Sequence, residues 1–80
     1  MTYTIIYEKI TDGSLPEGYY YAHIPTLDLT THGLGVDGAK EAAKDLVRLW
    51  IDEKQSNGEL VKVEPETLIS KIEIEDALHS

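Results

Sequence analysis

Gly35-Val36-Asp37-Gly38-Ala39-Lys40-Glu41-Ala42-Ala43-Lys44-Asp45-Leu46-Val47-Arg48-Leu49-Trp50 is the stretch that divides this chain into a β half and an α half. Before it, side-chain character alternates with a period of two; within it, the period becomes that of a helix. At about 100° per residue, Ala39, Ala42, Ala43, Leu46 and Trp50 fall on one side, and Val47, Leu49 and Ile51 widen that stripe. Glu41, Asp45, Arg48 and Asp52 fall on the other. A helix with one apolar face lies on something, and the strands before it predict a sheet. Asp37 is the expected N-cap, because its carboxylate can accept a free N–H of the first turn. Glu41 adds favourable charge near the positive end of the helix. Asn57-Gly58 predicts a stop just after Gln55 or Ser56, with glycine taking the left-handed conformation.

Working back from the helix, residues 29–33 read as a weak strand, and residues 19–24 as a stronger one, stopped by Pro25. Asp12-Gly13-Ser14 and Pro16-Glu17-Gly18 are turn chemistry. Residues 2–10, rich in Ile, Tyr and Thr, read as the first strand. Working forward, Leu60-Val61-Lys62-Val63 is a short extended piece ended by Glu64-Pro65. Residues 67–75 then alternate, with Leu68, Ser70, Ile72 and Ile74 on one side and Ile69, Lys71, Glu73 and Glu75 on the other, which predicts a final strand from about Leu68. The predicted order is βββαβ, an α+β fold. Three strands form an antiparallel meander, and a right-handed crossover through the helix returns the fourth parallel to the first. The expected sheet order is 3-2-1-4, with one helix packed on one face and nothing on the other.

Eighty residues make one domain, spanning 1–80, and 41% hydrophobic residues suffice for a core. With no cysteine there is no disulfide and no thiolate metal site. Met1-Thr2-Tyr3-Thr4 does not open a signal peptide, and no run approaches the roughly 18 apolar residues of a membrane span, so a cytoplasmic protein is expected. Seven basic against fifteen acidic residues give a net charge of -8. Nucleic-acid binders neutralise phosphates with Lys and Arg, so direct nucleic-acid binding is not expected. The acidity serves solubility or a basic partner.

Catalytic patterns fail one by one. Glu8, Asp12, Asp28, Asp37 and Glu41 do not lie at spacings that bring carboxylates together for two-metal chemistry, and solvated surface charge accounts for them. No serine sits in an elbow motif. Gly33-Leu34-Gly35-Val36-Asp37-Gly38 spells a dinucleotide-loop pattern, but its preceding strand belongs to an antiparallel meander, so turn flexibility explains it. His79 lies in a terminal tail. No catalytic residue, metal or cofactor is expected.

The second strand carries the more informative pattern. Tyr20, Ala22 and Ile24 alternate with Tyr19, Tyr21 and His23. The first set suits the helix side, where small Ala22 permits close approach. The second set then joins Ile6 on the uncovered face. If the second hairpin pairs at residue numbers summing near 55, His23 faces His32 and Ala22 faces Gly33. A histidine pair could bind a metal or sense pH, but it lacks a third ligand. Tyrosine offers large contact area with a polar tip, which suits protein interfaces. Ile6, Tyr19, Tyr21, His23 and His32 are therefore the candidate interface, against the plain alternative of an ordinary solvated sheet face.

At this point the chain resembles a family. Gly18-Tyr19-Tyr20-Tyr21-Ala22-His23-Ile24-Pro25-Thr26-Leu27 is similar to the second strand and turn of HicB-like antitoxins. Thr31-His32-Gly33-Leu34-Gly35-Val36-Asp37-Gly38-Ala39 is similar to their passage from strand to helix. The likeness covers roughly residues 3–55, and more loosely the last strand. It departs at Asp28-Leu29, where the family commonly continues with Pro-Gly-Cys, and in having only Asp37 where the family's helix start is more acidic. The resemblance implies a truncated RNase H-like βββαβ domain that neutralises a small basic mRNA-cleaving toxin of the HicA type. The chain stops at Ser80 without a DNA-binding segment, so the toxin-binding half alone is implied. The alternative is a self-associating module of the same fold with no toxin partner. A homo-oligomer is expected in either case.

Overall fold

Strand β2, Tyr19–Ile24, lies between β1, Ile6–Lys9, and β3, Leu29–Leu34, in one antiparallel sheet of order β1-β2-β3. Helix α1, Gly35–Ser56, packs on one face of it. This is a computed structural model, and it describes residues 1–75. The architecture is α+β, with β2 at its expected bounds and β3 one residue longer than expected.

A single 3-10 turn, Pro25–Leu27, joins β2 to β3. Asp28 then takes φ 53°, a left-handed conformation that aspartate tolerates better than most residues, and its N–H donates to the Pro25 carbonyl at 3.1 Å. This tight closure lets β3 restart at once, pairing Ile24 with Leu29. The register therefore differs from expectation by two residues: His23 faces Thr30, His32 faces Tyr21, Gly33 faces Tyr20 and Ala22 faces Thr31. A two-residue shift moves partners along the strand but keeps every side chain on its face.

β1 is shorter than the expected residues 2–10. In its register with β2, Ile6 faces His23, and continuation would set Thr4 against Pro25, which has no N–H and begins the 3-10 turn. At the other end the Ile10 N–H still donates to the Tyr19 carbonyl at 3.0 Å. Because hydrogen-bonded pairs alternate along an antiparallel ladder, Tyr7 and Lys9 turn their backbone groups to the outer edge of β1, which no other described strand pairs.

Ala22, Ile24, Leu27, Ala39 and Ala43 form the buried core, with Tyr3, Ile5, Tyr7, Tyr20, Leu29, Val47 and Trp50 packed around it. The alanines let α1 approach the sheet closely. Gly33 permits the closest approach, because a Cβ there would lie 2.5 Å from the Ala39 nitrogen. Leu49, expected to widen the apolar stripe, is exposed and lies outside the packed arc. Trp50, on the apolar stripe, is half-buried, with the Lys54 ammonium 5.6 Å from its ring centroid.

Helix α1 begins earlier than expected. Leu34 occupies the N-cap position without a side-chain hydrogen bond, so Asp37 is not the cap and instead places its charge in the first turn. The Gly35 N–H donates to the Gly18 carbonyl at 2.8 Å, so the loop before β2 takes one of the free donors that a side-chain cap would otherwise serve. The stop is the expected one: Gly58 takes φ 69°, and the N–H groups of Gly58 and Glu59 donate to the Gln55 and Lys54 carbonyls at 3.0 and 2.9 Å.

Beyond the helix, the expected fourth strand is not formed among the described residues. Up to Glu75, residues 67–75 pair with no strand among the described residues, and the sheet has three strands. Before that segment, Glu64 ties the chain to the residues around the start of the sheet. Its carboxylate accepts the Thr4 N–H at 2.7 Å, the Thr4 hydroxyl at 2.7 Å and the Thr26 hydroxyl at 2.9 Å. The Tyr3 hydroxyl also donates to the Lys62 carbonyl. A side chain thus fills the end of the β1–β2 pair, and Pro65, which follows, has no N–H with which to begin a ladder.

Candidate protein-binding face

The pleat and the register place eight side chains on the face that α1 leaves open. They form three rows across the sheet: Ile6, His23 and Thr30; Glu8, Tyr21 and His32; Tyr19 and Leu34. All five candidate residues, Ile6, Tyr19, Tyr21, His23 and His32, lie on this one face. Tyr19, Tyr21 and His23 are half-buried by one another and by neighbouring strands. Ile6 is 40% exposed and Leu34 62% exposed.

His23 is held from both sides. Its Nε2 lies 2.9 Å from Glu8 Oε1 and its Nδ1 lies 3.1 Å from the Thr30 hydroxyl. With Nε2–H donating to the carboxylate and Nδ1 accepting from Thr30, the neutral ring satisfies both neighbours; a protonated ring donates to both. The Tyr21 and His23 rings lie 5.7 Å apart at 35°, and those of Tyr19 and His32 lie 6.4 Å apart at 56°. The face thus presents ordered aromatic surface with imidazole and phenol tips.

The expected facing pair of histidines does not form, because the register sets His32 opposite Tyr21. No group of three or more His, Cys, Asp or Glu among the described residues is placed to hold a metal ion. The residues considered for nuclease chemistry sit in separate local settings, Glu41 pairing with Lys44 at 3.8 Å. Glu8 bonds His23, Asp28 makes the turn, and Asp37 sits in the first turn of α1. Asp12 accepts the Ser14 hydroxyl and N–H at 2.6 and 2.9 Å, and these bonds hold its carboxyl below the usual aspartate range. The glycines of the dinucleotide-like pattern serve helix packing at Gly33 and the turn at Gly35, which takes φ 68°. His79 lies outside the described residues.

Three residues of this face went unassigned in the sequence: Glu8 as the partner of His23, Thr30 and Leu34. Their signal is parity. Glu8 is two residues from Ile6, and Thr30 and Leu34 are each two from His32, so once His32 and Ile6 are assigned to a face the others follow.

No helix among the described residues is long and apolar enough to cross a membrane. Comparison with known proteins yields no match among family models, curated proteins or solved structures.

Proposed function

We propose that this chain is a non-catalytic, antitoxin-like protein-binding domain that neutralises a small basic RNA-cleaving toxin of the HicA type through its open sheet face. The observation that carries the reading is the assembly of Ile6, Tyr19, Tyr21, His23 and His32 on the face that no described element covers. Aromatic residues with polar tips are enriched at protein contacts, and a sheet with one covering helix needs no such surface for its own core. The net charge of -8 complements a basic partner and speeds encounter with it. The HicB-like likeness of residues 18–27 and 31–39 supplies the class of partner. In this reading the domain works in the cytoplasm, its three strands and helix belong to a truncated RNase H-like fold, and the place of a fourth strand is the free edge of β1, giving the order 3-2-1-4.

The test is titration of a HicA-type ribonuclease with the purified chain, reading RNA cleavage and complex formation together. Stoichiometric loss of cleavage is expected. Tyr19→Ser with Tyr21→Ser should weaken the complex while circular dichroism stays unchanged, because neither residue faces α1. Unimpeded cleavage at saturating chain concentration would sink the reading.

A second reading is self-association through the same face without a toxin. The exposure of Ile6 and Leu34 on it favours this. There the tyrosine double variant would lower the oligomer mass itself.

A further inference from the structure

Two apolar parts of this chain are left uncovered by the described residues. The first is a groove of about 260 Å³ on the helix side, where the residues leading into β1 meet α1. Tyr3, Ile5, Val47 and Ile51 line it with apolar surface, and Lys44 and Arg48 supply its two cations; no acidic side chain among the described residues lines it. Beside it runs the free edge of β1, with the backbone groups of Tyr7 and Lys9 directed outward. The second part is the segment after Glu64. Leu68, Ile72 and Ile74, which share one side of an extended chain, are 85%, 81% and 66% exposed. Glu66 falls in the same row, and residues 65–75 carry three glutamates against one lysine.

We propose that residues 67–75 form a strand donated to a second copy of this chain, laid on the free edge of its β1 with Leu68, Ile72 and Ile74 over its groove. An exposed strand edge is a template for another strand, and main-chain hydrogen bonds with alternate side chains in a groove are the recurrent way of filling it. The charges agree, since the acidic donor meets the Lys44 and Arg48 rim. The three hydrogen bonds to Glu64 fix where the segment leaves its own chain, and Pro65 stiffens the exit. None of residues 67–75 lines the groove of its own chain. Each copy therefore offers one donor and one acceptor, and reciprocal exchange closes a two-fold dimer with no unfilled end. This contact uses the edge of β1 and the groove, not the open tyrosine face, and does not depend on a toxin.

The experiment is light scattering of the full chain over a dilution series, with circular dichroism as the check on fold. Wild type should show twice the chain mass, falling toward monomer on dilution. Ile72→Lys should be monomeric with its helix signal intact. Ile51→Lys should be monomeric by blocking the groove. Should Ile51→Lys lose its helix signal, Lys44→Glu with Arg48→Glu, both exposed, takes its place. Mixing the donor-blocked and groove-blocked chains should restore dimer mass, because one intact donor meets one intact groove. Tyr19→Ser with Tyr21→Ser should leave this dimer unchanged, which separates the exchange from the function of the open face. A wild type that is monomeric at every concentration overturns the exchange, as does an Ile72→Lys variant of unchanged mass or a mixture that does not associate.

Discussion

Gly33 and Gly38 touch backbone to backbone where β3 passes under the first turn of α1. The contact is asymmetric. A Cβ added to Gly33 would sit 2.5 Å from the Ala39 nitrogen, whereas one added to Gly38 meets Gly33 at 3.6 Å, an ordinary contact. Gly33→Ala should therefore destabilise the domain by about 1–3 kcal/mol, as overpacking against rigid backbone does. Gly38→Ala should be neutral or stabilising by up to about 1 kcal/mol, since alanine favours a helix over glycine. Urea denaturation of the two variants reads both. Equal effects would mean that α1 does not rest on Gly33.

Glu64 ties the chain after α1 to the start of β1, and its protonation should be visible in acid. The Thr4 N–H, then the Thr4 hydroxyl, and also the Thr26 hydroxyl hold its carboxyl below the ordinary glutamate value of 4.5. A lowered folded value means that the ionised form is favoured by folding. The contribution is complete above about 4.5 and disappears as pH falls through the lowered value. Glu64→Gln should thus lower stability at neutral pH and flatten the acid limb of a pH–stability curve. A variant whose acid limb overlays that of wild type would show that Glu64 does not contribute.

His23 offers a way to separate binding from folding. Its bonds to Glu8 and Thr30 lie on an open face, where such pairs contribute at most about 1 kcal/mol. His23→Ala should shift the thermal midpoint little while weakening capture of a toxin, measured by calorimetry. A large loss of stability would place His23 in the core rather than on the open face.

The faces of the sheet were legible because parity is robust. Tyr20, Ala22 and Ile24 face α1, and Tyr19, Tyr21 and His23 do not, whichever even register the hairpin takes. The partners were not legible, because they depend on how many residues the turn consumes, and that was set by one left-handed aspartate, Asp28. The start of α1 was misread for a related reason. Asp37 has the chemistry of a cap, yet the Gly18 carbonyl, distant in sequence, engages Gly35 first. Leu49 shows the limit of a helical wheel, which gives direction but not how wide an arc the sheet covers. The alternation of residues 67–75 reads as a strand, but alternation reports only that a segment has two sides; it carries no information about whose edge the segment meets. Of the open face, Tyr19, Tyr21 and His23 were readable from β2 alone, and the Glu8–His23 bond needed the β1 register.

Helix and sheet also differ in length, and this has a mechanical consequence. Twenty-two residues of α1 extend about 33 Å, whereas the six-residue strands beneath span about 20 Å. The helix is clamped near Gly33 and by Ala39 and Ala43, and beyond Ile51 nearly every side chain is exposed. It is a cantilever, fixed on the sheet through Trp50 and exposed over its last turn. Amide exchange should be slowest around Ala39 and Ala43 and quicken toward Ser56, so that α1 opens from its far end while the root stays closed.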